Sequence, residues 1–212
     1  MSVNLKQYFN VIKETQKNQC KLLVVSKMRS MEDIVLLLEN NHKYFGENRV
    51  QEAFKKYAGL RKKYDFELHL IGPLQSNKTD IALSLFDCIQ SIDRYKIVDS
   101  IINFKNKTNK PIQTKRFFLQ INIGNEKQKS GVAPSEAVNF FQYCTDKKLN
   151  IEGLMCIPPN NENPNKYFQQ MNEIKNMINE SLQLSMGMSD DYKLAIQQGS
   201  NMIRVGSLLF DD

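Results

Sequence analysis

Lys21-Leu22-Leu23-Val24-Val25-Ser26 is the stretch on which the fold turns. It is short, rich in branched apolar residues and does not alternate with polar ones. That pattern is a strand buried on both faces, as in parallel sheets. Met31 to Asn40 follows as a predicted helix, with Ser30 as N-cap and Glu32-Asp33 in the first turn, where acidic groups suit the helix dipole. Lys43-Tyr44-Phe45-Gly46 is then a short strand ending at glycine. Strand, helix and strand in this order make one parallel crossover unit.

The same rhythm continues along the chain. Val50 to Tyr64 is a charged helix, Phe66 to Ile71 a strand ending at Gly72-Pro73, Ser76 to Phe86 a helix, and Cys88 to Ser91 a strand. Asp93 is expected to cap a helix through Asn106. Lys115 to Ile123 is the longest clear strand. Pro134 to Lys147 is a helix with proline at its start, where a missing N–H is harmless. Ile151 to Ile157 is a strand stopped by Pro158-Pro159. Asn165 to Leu182 reads as a helix, Leu184 to Met186 as a strand, Asp190 to Gln198 as a helix and Met202 to Val205 as the last strand.

Eight strands, the first seven each followed by a helix, with an extra N-terminal helix before the first, predict an α/β fold: a single-domain (β/α)8 barrel of the TIM type. An open doubly wound sheet is the alternative, but no Gly-x-Gly-x-x-Gly follows the first strand. The Pro/Asn-rich stretch from Pro158 to Pro164 is too short for a linker, so residues 1–212 are expected to form one domain.

Composition narrows the function. The 212 residues include 29 Lys+Arg and 23 Asp+Glu, a net charge of +6. Arginine occurs only at positions 29, 49, 61, 94, 116 and 204. The remaining basic residues are lysines scattered among Asn, Gln and Glu, and the densest cluster is Arg61-Lys62-Lys63. Lysine is the less specific reader of phosphates and bases, so no nucleic-acid partner is expected. No apolar run reaches the roughly 18 residues that a membrane span needs. Met1-Ser2-Val3-Asn4-Leu5-Lys6 has no apolar signal core behind it. A soluble cytoplasmic protein is expected, with no membrane contact. No long exposed apolar helix demands a partner, so a monomer is expected. Cys20, Cys88, Cys144 and Cys156 lack zinc-type spacing and read as buried free thiols, with no metal site.

In a barrel, functional residues gather at the carboxyl ends of the strands. Lys27 follows the first strand. Either its ammonium emerges at the floor of an apolar pocket, where desolvation lowers a lysine pKa and supplies a neutral amine, or it marks the exit of the strand into solvent. Ser189 and Gly206-Ser207 lie just past strands seven and eight, a frequent place for phosphate in barrels; ordinary turn and cap chemistry is the other reading. A Schiff-base lysine opposite a phosphate cradle describes a site for pyridoxal 5′-phosphate (PLP).

Leu23 to Lys27, Phe45-Gly46-Glu47-Asn48-Arg49-Val50-Gln51-Glu52-Ala53, and His69-Leu70-Ile71-Gly72-Pro73-Leu74-Gln75-Ser76-Asn77-Lys78 resemble the pyridoxal phosphate homeostasis protein family, whose barrel is similar to the N-terminal domain of alanine racemase. Lys129-Ser130-Gly131, Gly153-Leu154-Met155, Leu184 to Ser189 and Gly199 to Ser207 continue the match in order. Three features depart from the family pattern, the first being a segment before Lys21 that is shorter than usual. Ser207 stands where threonine is common, which keeps the hydroxyl. Phe210 is followed only by Asp211-Asp212, which puts any contact from a last helix in doubt.

The resemblance implies that Lys27 forms the internal aldimine and that Asn48 lies beside the cofactor ring near its phenolic oxygen. Met186 would pack near the ring, although it also reads as plain core. Ser189, Gly206 and Ser207 would hold the phosphate. Arg204 would face the pyridine nitrogen; a guanidinium cannot accept a proton, so it disfavours the pyridinium and weakens the ring as an electron sink. The implied function is intracellular PLP (vitamin B6) homeostasis, with the cofactor held as a Schiff base, no robust turnover, and apo-PLP enzymes as possible acceptors. The alternative is a PLP-dependent amino-acid racemase or decarboxylase of the related fold. Those enzymes, by resemblance, add a second β domain and an opposite-face acid–base group. The chain is expected to end at the barrel, and its sequence nominates no such group.

Overall fold

The computed structural model describes residues 2–210. The strands are β1 (Lys21–Val25), β2 (Tyr44–Glu47), β3 (Glu67–Leu70), β4 (Cys88–Ile92), β5 (Arg116–Ile121), β6 (Ile151–Cys156), β7 (Gln183–Ser185) and β8 (Met202–Val205). They pair in sequence order as a closed parallel barrel. The closing seam sets Lys21 to Val24 of β1 against Met202 to Val205 of β8, residue for residue. The predicted (β/α)8 barrel is therefore the fold, and the open sheet is excluded.

The helices are α1 (Leu5–Lys17), α2 (Met31–Glu39), α3 (Val50–Tyr57), α4 (Thr79–Leu85), α5 (Tyr95–Lys107), α6 (Ala137–Asp146), α7 (Asn165–Ile178) and α8 (Tyr192–Gln197). Each of α2 to α8 follows a strand. Within the described residues β8 is followed only by a 3-10 turn, Ser207–Leu209. Helix α1 packs against that turn and β1, and the Asn4 N–H donates to the Leu209 carbonyl at 2.9 Å. The N-terminal helix thus stands beside the seam, where among the described residues no α-helix follows β8. Asp211-Asp212 lie outside the described residues.

Strand alternation divides the apolar residues into two sets. Leu22 and Val24 of β1, Phe45 of β2, Leu68 of β3 and Ile89 of β4 join the main core with the helices. Cys88, Phe118 and Met155 form a separate small cluster. Leu23 points to the Gly46 side of the sheet, where a Cβ on Gly46 would lie 2.9 Å from its Cδ2. Polar residues share this inner side: His69, Gln90, Ser185 and Arg204 are all buried, with the Met202 sulfur against Gln90.

Local chemistry sets the element ends, and some differ from the sequence reading. Helix α2 has the expected start: Ser30 accepts from the Asp33 N–H, and the Asp33 carboxylate accepts from the Ser30 N–H. Asp93 does not cap α5. Its carboxylate takes the Arg94 guanidinium at 2.5 Å, and Arg94 occupies the N-cap position. Helix α3 stops at Tyr57, ahead of Gly59, and a 3-10 turn at Leu60–Lys62 completes the expected span. Helix α7 stops at Ile178 because Asn179 turns extended (φ −167°), and its side chain accepts from the Ser181 N–H and hydroxyl. Helix α8 starts at Tyr192, since the Asp191 carboxylate holds the Met188 N–H at 2.6 Å in a preceding turn.

All four cysteines are buried and free, as expected. Burial pushes the Cys20 thiol up to about 11 and those of Cys144 and Cys156 up to about 12. Among the described residues no helix is long and apolar enough to cross a membrane.

Candidate functional site

The seam brings the two ends of the predicted site together. Val24 lies opposite Val205, so Lys27 leaves one side of the seam and Gly206-Ser207 the other. Gly206 sits against Val25, where an added Cβ would lie 3.2 Å from the Val25 Cβ and 3.3 Å from its carbonyl oxygen. Ser207 donates its hydroxyl to Ser189 Oγ at 3.0 Å. The Leu208 N–H also points at Ser189 Oγ, at 3.4 Å. Ser189, Gly206 and Ser207 therefore converge, with two hydroxyls side by side. Such a pair can turn its protons toward an anion.

Lys27 is exposed, which is the second of its two readings: it marks the exit of the strand into solvent, and no apolar floor lies beneath its ammonium. The reason is local: β1 ends at Val25, and the chain turns outward, the Arg29 N–H returning to the Ser26 carbonyl at 3.0 Å. Met28 adopts a left-handed φ of 60°, a strained value for an unbranched non-glycine residue. What lies beneath Lys27 is polar. Lys56 donates to the Ser26 carbonyl at 2.8 Å, to Glu47 at 3.1 Å and to Glu52 at 2.6 Å. Glu52 also accepts from the Met28 N–H at 2.6 Å. The Ser26 hydroxyl donates to Glu47 and takes the Tyr57 hydroxyl at 2.6 Å. Both neighbours of Lys27 are thus clamped. Burial raises the Glu47 carboxyl above its ordinary range, against the pull of Lys56, and Glu47 Oε2 is buried without a partner.

Arg204 is 3% exposed and points into the barrel. Its Nη1 donates to Ser185 Oγ at 2.8 Å and its Nη2 to the Cys156 carbonyl at 2.7 Å. Burial pulls its pKa down from the ordinary arginine value, toward which Cys156 and Asp191 push back. Met186 is wholly buried in the main apolar core, which is the plain-core reading of that residue. Asn48 is half-buried at the end of β2. It lines a cleft of about 220 Å³ with Gly72, Gln120, Asn122, Lys129 and Ile157. A second cleft of about 380 Å³ lies between Asn48, Arg49, Gln75 and Lys78. Asn48 is the one residue nominated from sequence that borders these two clefts.

Sequence reasoning missed the clamp of Glu47, Glu52 and Lys56 and the polar lumen of His69, Gln90 and Ser185. The lumen had a signal: polar residues at every second position of otherwise apolar strands, as in Glu67-Leu68-His69 and Ile89-Gln90. Among the described residues no group of His, Cys, Asp and Glu is arranged to hold a metal ion.

Residues 3–212 match the family described as alanine racemase, N-terminal domain. The pyridoxal phosphate homeostasis protein of Aquifex aeolicus is 36% identical over 207 residues, covering 92% of this chain and 88% of that protein. That of Pasteurella multocida is 37% identical over 201 residues, covering 90% and 85%. PipY of Synechococcus elongatus PCC7942, solved without PLP, superposes with a TM-score of 0.86 at 29% identity, covering 97% of this chain and 99% of that one. Its structure with PLP bound gives 0.81 at 29% identity, covering 96% and 98%. Alanine racemase from Acinetobacter baumannii shares the fold at 15% identity and a TM-score of 0.76, this chain covering 62% of it. By identity and by extent of match, the chain belongs to the pyridoxal phosphate homeostasis protein family and is built on the barrel of the alanine racemase N-terminal domain.

Proposed function

We propose that this chain binds PLP and serves intracellular PLP homeostasis, with Lys27 Nζ as the covalent anchor and without robust catalytic turnover. The observation that carries the reading is the Ser189–Ser207 hydroxyl pair beside the seam from which Lys27 emerges. The donor set fits the group. Two neutral hydroxyls and a close backbone approach at Gly206 suit a phosphate, and an exposed primary amine suits an aldehyde. The relatives' names and the PLP-bound PipY structure support the same cofactor.

Bound PLP supplies an aldehyde that condenses with an unprotonated amine, releasing water. The chain's own residues do the rest. Ser189, Gly206 and Ser207 bind the phosphate. Asn48, on the opposite side of β1, orients the ring from its phenolic edge. Arg204 presents N–H groups, not an acceptor, to the pyridine nitrogen, so the nitrogen stays unprotonated and the ring is a poor sink for carbanion electrons. Met186 backs this arrangement from the core. The reading takes residues 1–212 as one domain, a cytoplasmic monomer that passes PLP to apo enzymes.

Absorbance, borohydride reduction and peptide mapping test it together. Purified protein should be yellow, and reduction should fix the cofactor on the Lys27 peptide. A Lys27→Ala protein that keeps the reducible linkage, with no substitute lysine mapped, removes Lys27 from this role. Substantial racemisation or decarboxylation across an amino-acid panel would overturn the non-catalytic reading in favour of the racemase or decarboxylase alternative.

A further inference from the structure

A line of polar side chains runs along the barrel interior from Arg204 toward the opposite rim. Arg204 Nη1 donates to Ser185 Oγ (2.8 Å), and Ser185 Oγ donates to Gln90 Oε1 (2.6 Å). Gln90 Nε2 meets His69 Nδ1 at 2.8 Å, and His69 Nε2 meets Glu67 Oε2 at 3.4 Å. Glu67 is the first residue of β3 and is also bound by Arg116, the first residue of β5, at 2.5 Å. Ser185, Gln90 and His69 are all fully buried.

The donor direction along this line is forced. Arginine has no acceptor, so Ser185 Oγ must accept, and its single proton goes to Gln90 Oε1. That fixes the amide. Its Nε2 then gives one N–H to His69 Nδ1 and has Met202 Sδ at 3.1 Å for the other. A flipped amide would set oxygen against the sulfur and require Nδ1–H on His69, which turns the Nε2 lone pair of a neutral ring against Glu67 Oε2. With Nδ1 accepting, the imidazole is neutral and carries its proton on Nε2, aimed at a carboxylate that only accepts. Burial lowers the His69 pKa, in keeping with the neutral ring. The hydrogen bond from His69, with Arg116 in support, holds the Glu67 carboxyl down at about 2.

We infer that Ser185, Gln90 and His69 are positioning residues for Arg204: a one-way train of hydrogen-bond donors, ending on Glu67, that fixes the plane of the guanidinium that would face the pyridine nitrogen. With the Cys156 carbonyl holding Nη2, one N–H on each Nη is committed to the protein. The remaining N–H groups are thereby aimed by the barrel rather than by the ligand. The inference rests on the reading of Arg204 as the pyridine partner, and the test separates the two.

PLP is added to wild type, Arg204→Gln, Gln90→Leu, Ser185→Ala and Ser185→Thr, reading the absorbance maximum of the bound cofactor and its dissociation rate. Gln90→Leu and Ser185→Ala should shift the maximum in the direction of Arg204→Gln and speed dissociation about tenfold, as for one lost hydrogen bond to a charged group. Ser185→Thr, which keeps the hydroxyl, should restore wild-type values. A shift in Arg204→Gln alone overturns the positioning role and leaves the Arg204 reading standing. No shift in any variant, Arg204→Gln included, overturns both. Should Gln90→Leu fail to fold, the Ser185 pair decides. A cofactor-free readout is the ¹⁵N spectrum of the two histidines, assigned with His42→Gln. His69 should be the neutral Nε2–H tautomer, and an Nδ1–H tautomer overturns the train.

Discussion

Ser207 and Ser189 share a 3.0 Å hydrogen bond between their hydroxyls, joining the turn after β8 to the turn after β7. Neither hydroxyl has a charged partner of its own in that contact. A dianion placed against them gains two donors without displacing a salt bridge. Each charge-assisted bond is worth about 1.5–3 kcal/mol.

Ser189→Ala and Ser207→Ala should therefore each weaken PLP binding by about tenfold or more. The double variant should fall short of the product, because the two groups act on one phosphate. Fluorescence titration with PLP measures this. Unchanged affinity in the double variant would take the pair out of the phosphate site.

Lys56 is the hinge of the clamp under Lys27. Lys56→Met leaves Glu47, whose side chain is wholly buried, without its cation. Breaking a buried pair from one side costs about 3–5 kcal/mol. The expected result is a lower denaturation midpoint and faster amide exchange at Met28 and Arg29. Adding Glu47→Gln should recover part of the loss. A Lys56→Met protein as stable as wild type would show that the clamp is idle.

His42 makes stability pH-dependent. Its ring lies between the Tyr8 hydroxyl at Nδ1 and the Tyr44 carbonyl at Nε2, and burial lowers its pKa from 6.5 to about 4. The folded state favours the neutral ring, so the unfolded chain binds the proton first. This contribution is complete above pH 6.5 and is lost as pH falls toward 4. It amounts to about 2 kcal/mol by pH 5. Urea unfolding at pH 7 and pH 5 should show a smaller pH effect in His42→Gln than in wild type. The other buried histidine, His69, shifts in the same direction and is common to both proteins.

Gly72 is a steric requirement of the cleft wall. A Cβ there would lie 2.2 Å from the Asn48 carbonyl oxygen. Gly72→Ala must displace the backbone that carries Asn48, at about 1–3 kcal/mol or more of stability. PLP affinity should drop with it, and Asn48→Ala added to Gly72→Ala should then matter little. A Gly72→Ala protein with wild-type stability and affinity would remove Asn48 from the site.

Strand order and the mouth of the barrel were readable because both rest on local pattern. Runs such as Leu22 to Val25 bury both faces, and Gly72 and Gly206 follow the strands they close, while β2 runs one residue past Gly46. Ser189, Gly206 and Ser207 could be nominated because a barrel's phosphate turns follow its last strands. Lys27 was located but not its surroundings: the residues on either side of it are held by Glu47, Glu52 and Lys56, which reach Ser26 and Met28 through tertiary packing. The Arg204 line was hidden for a similar reason. Ser185, Gln90 and His69 come from separate strands, and only barrel closure shows that they touch. Helix ends failed where a side chain took over the turn, as with Asn179 and Asp191.

The seam between β1 and β8 joins strands nearly the whole sequence apart. Lys27 leaves one side and Ser207 the other, so the proposed site is assembled only when the last strand has docked. Pairings this distant form slowly. A ligand that needs both halves binds only the closed barrel and stabilises it by RT ln(1 + [L]/Kd). If PLP is that ligand, as proposed, its supply would set the lifetime of the protein itself: the scarcer the cofactor, the larger the fraction of time the seam stands open to proteolysis.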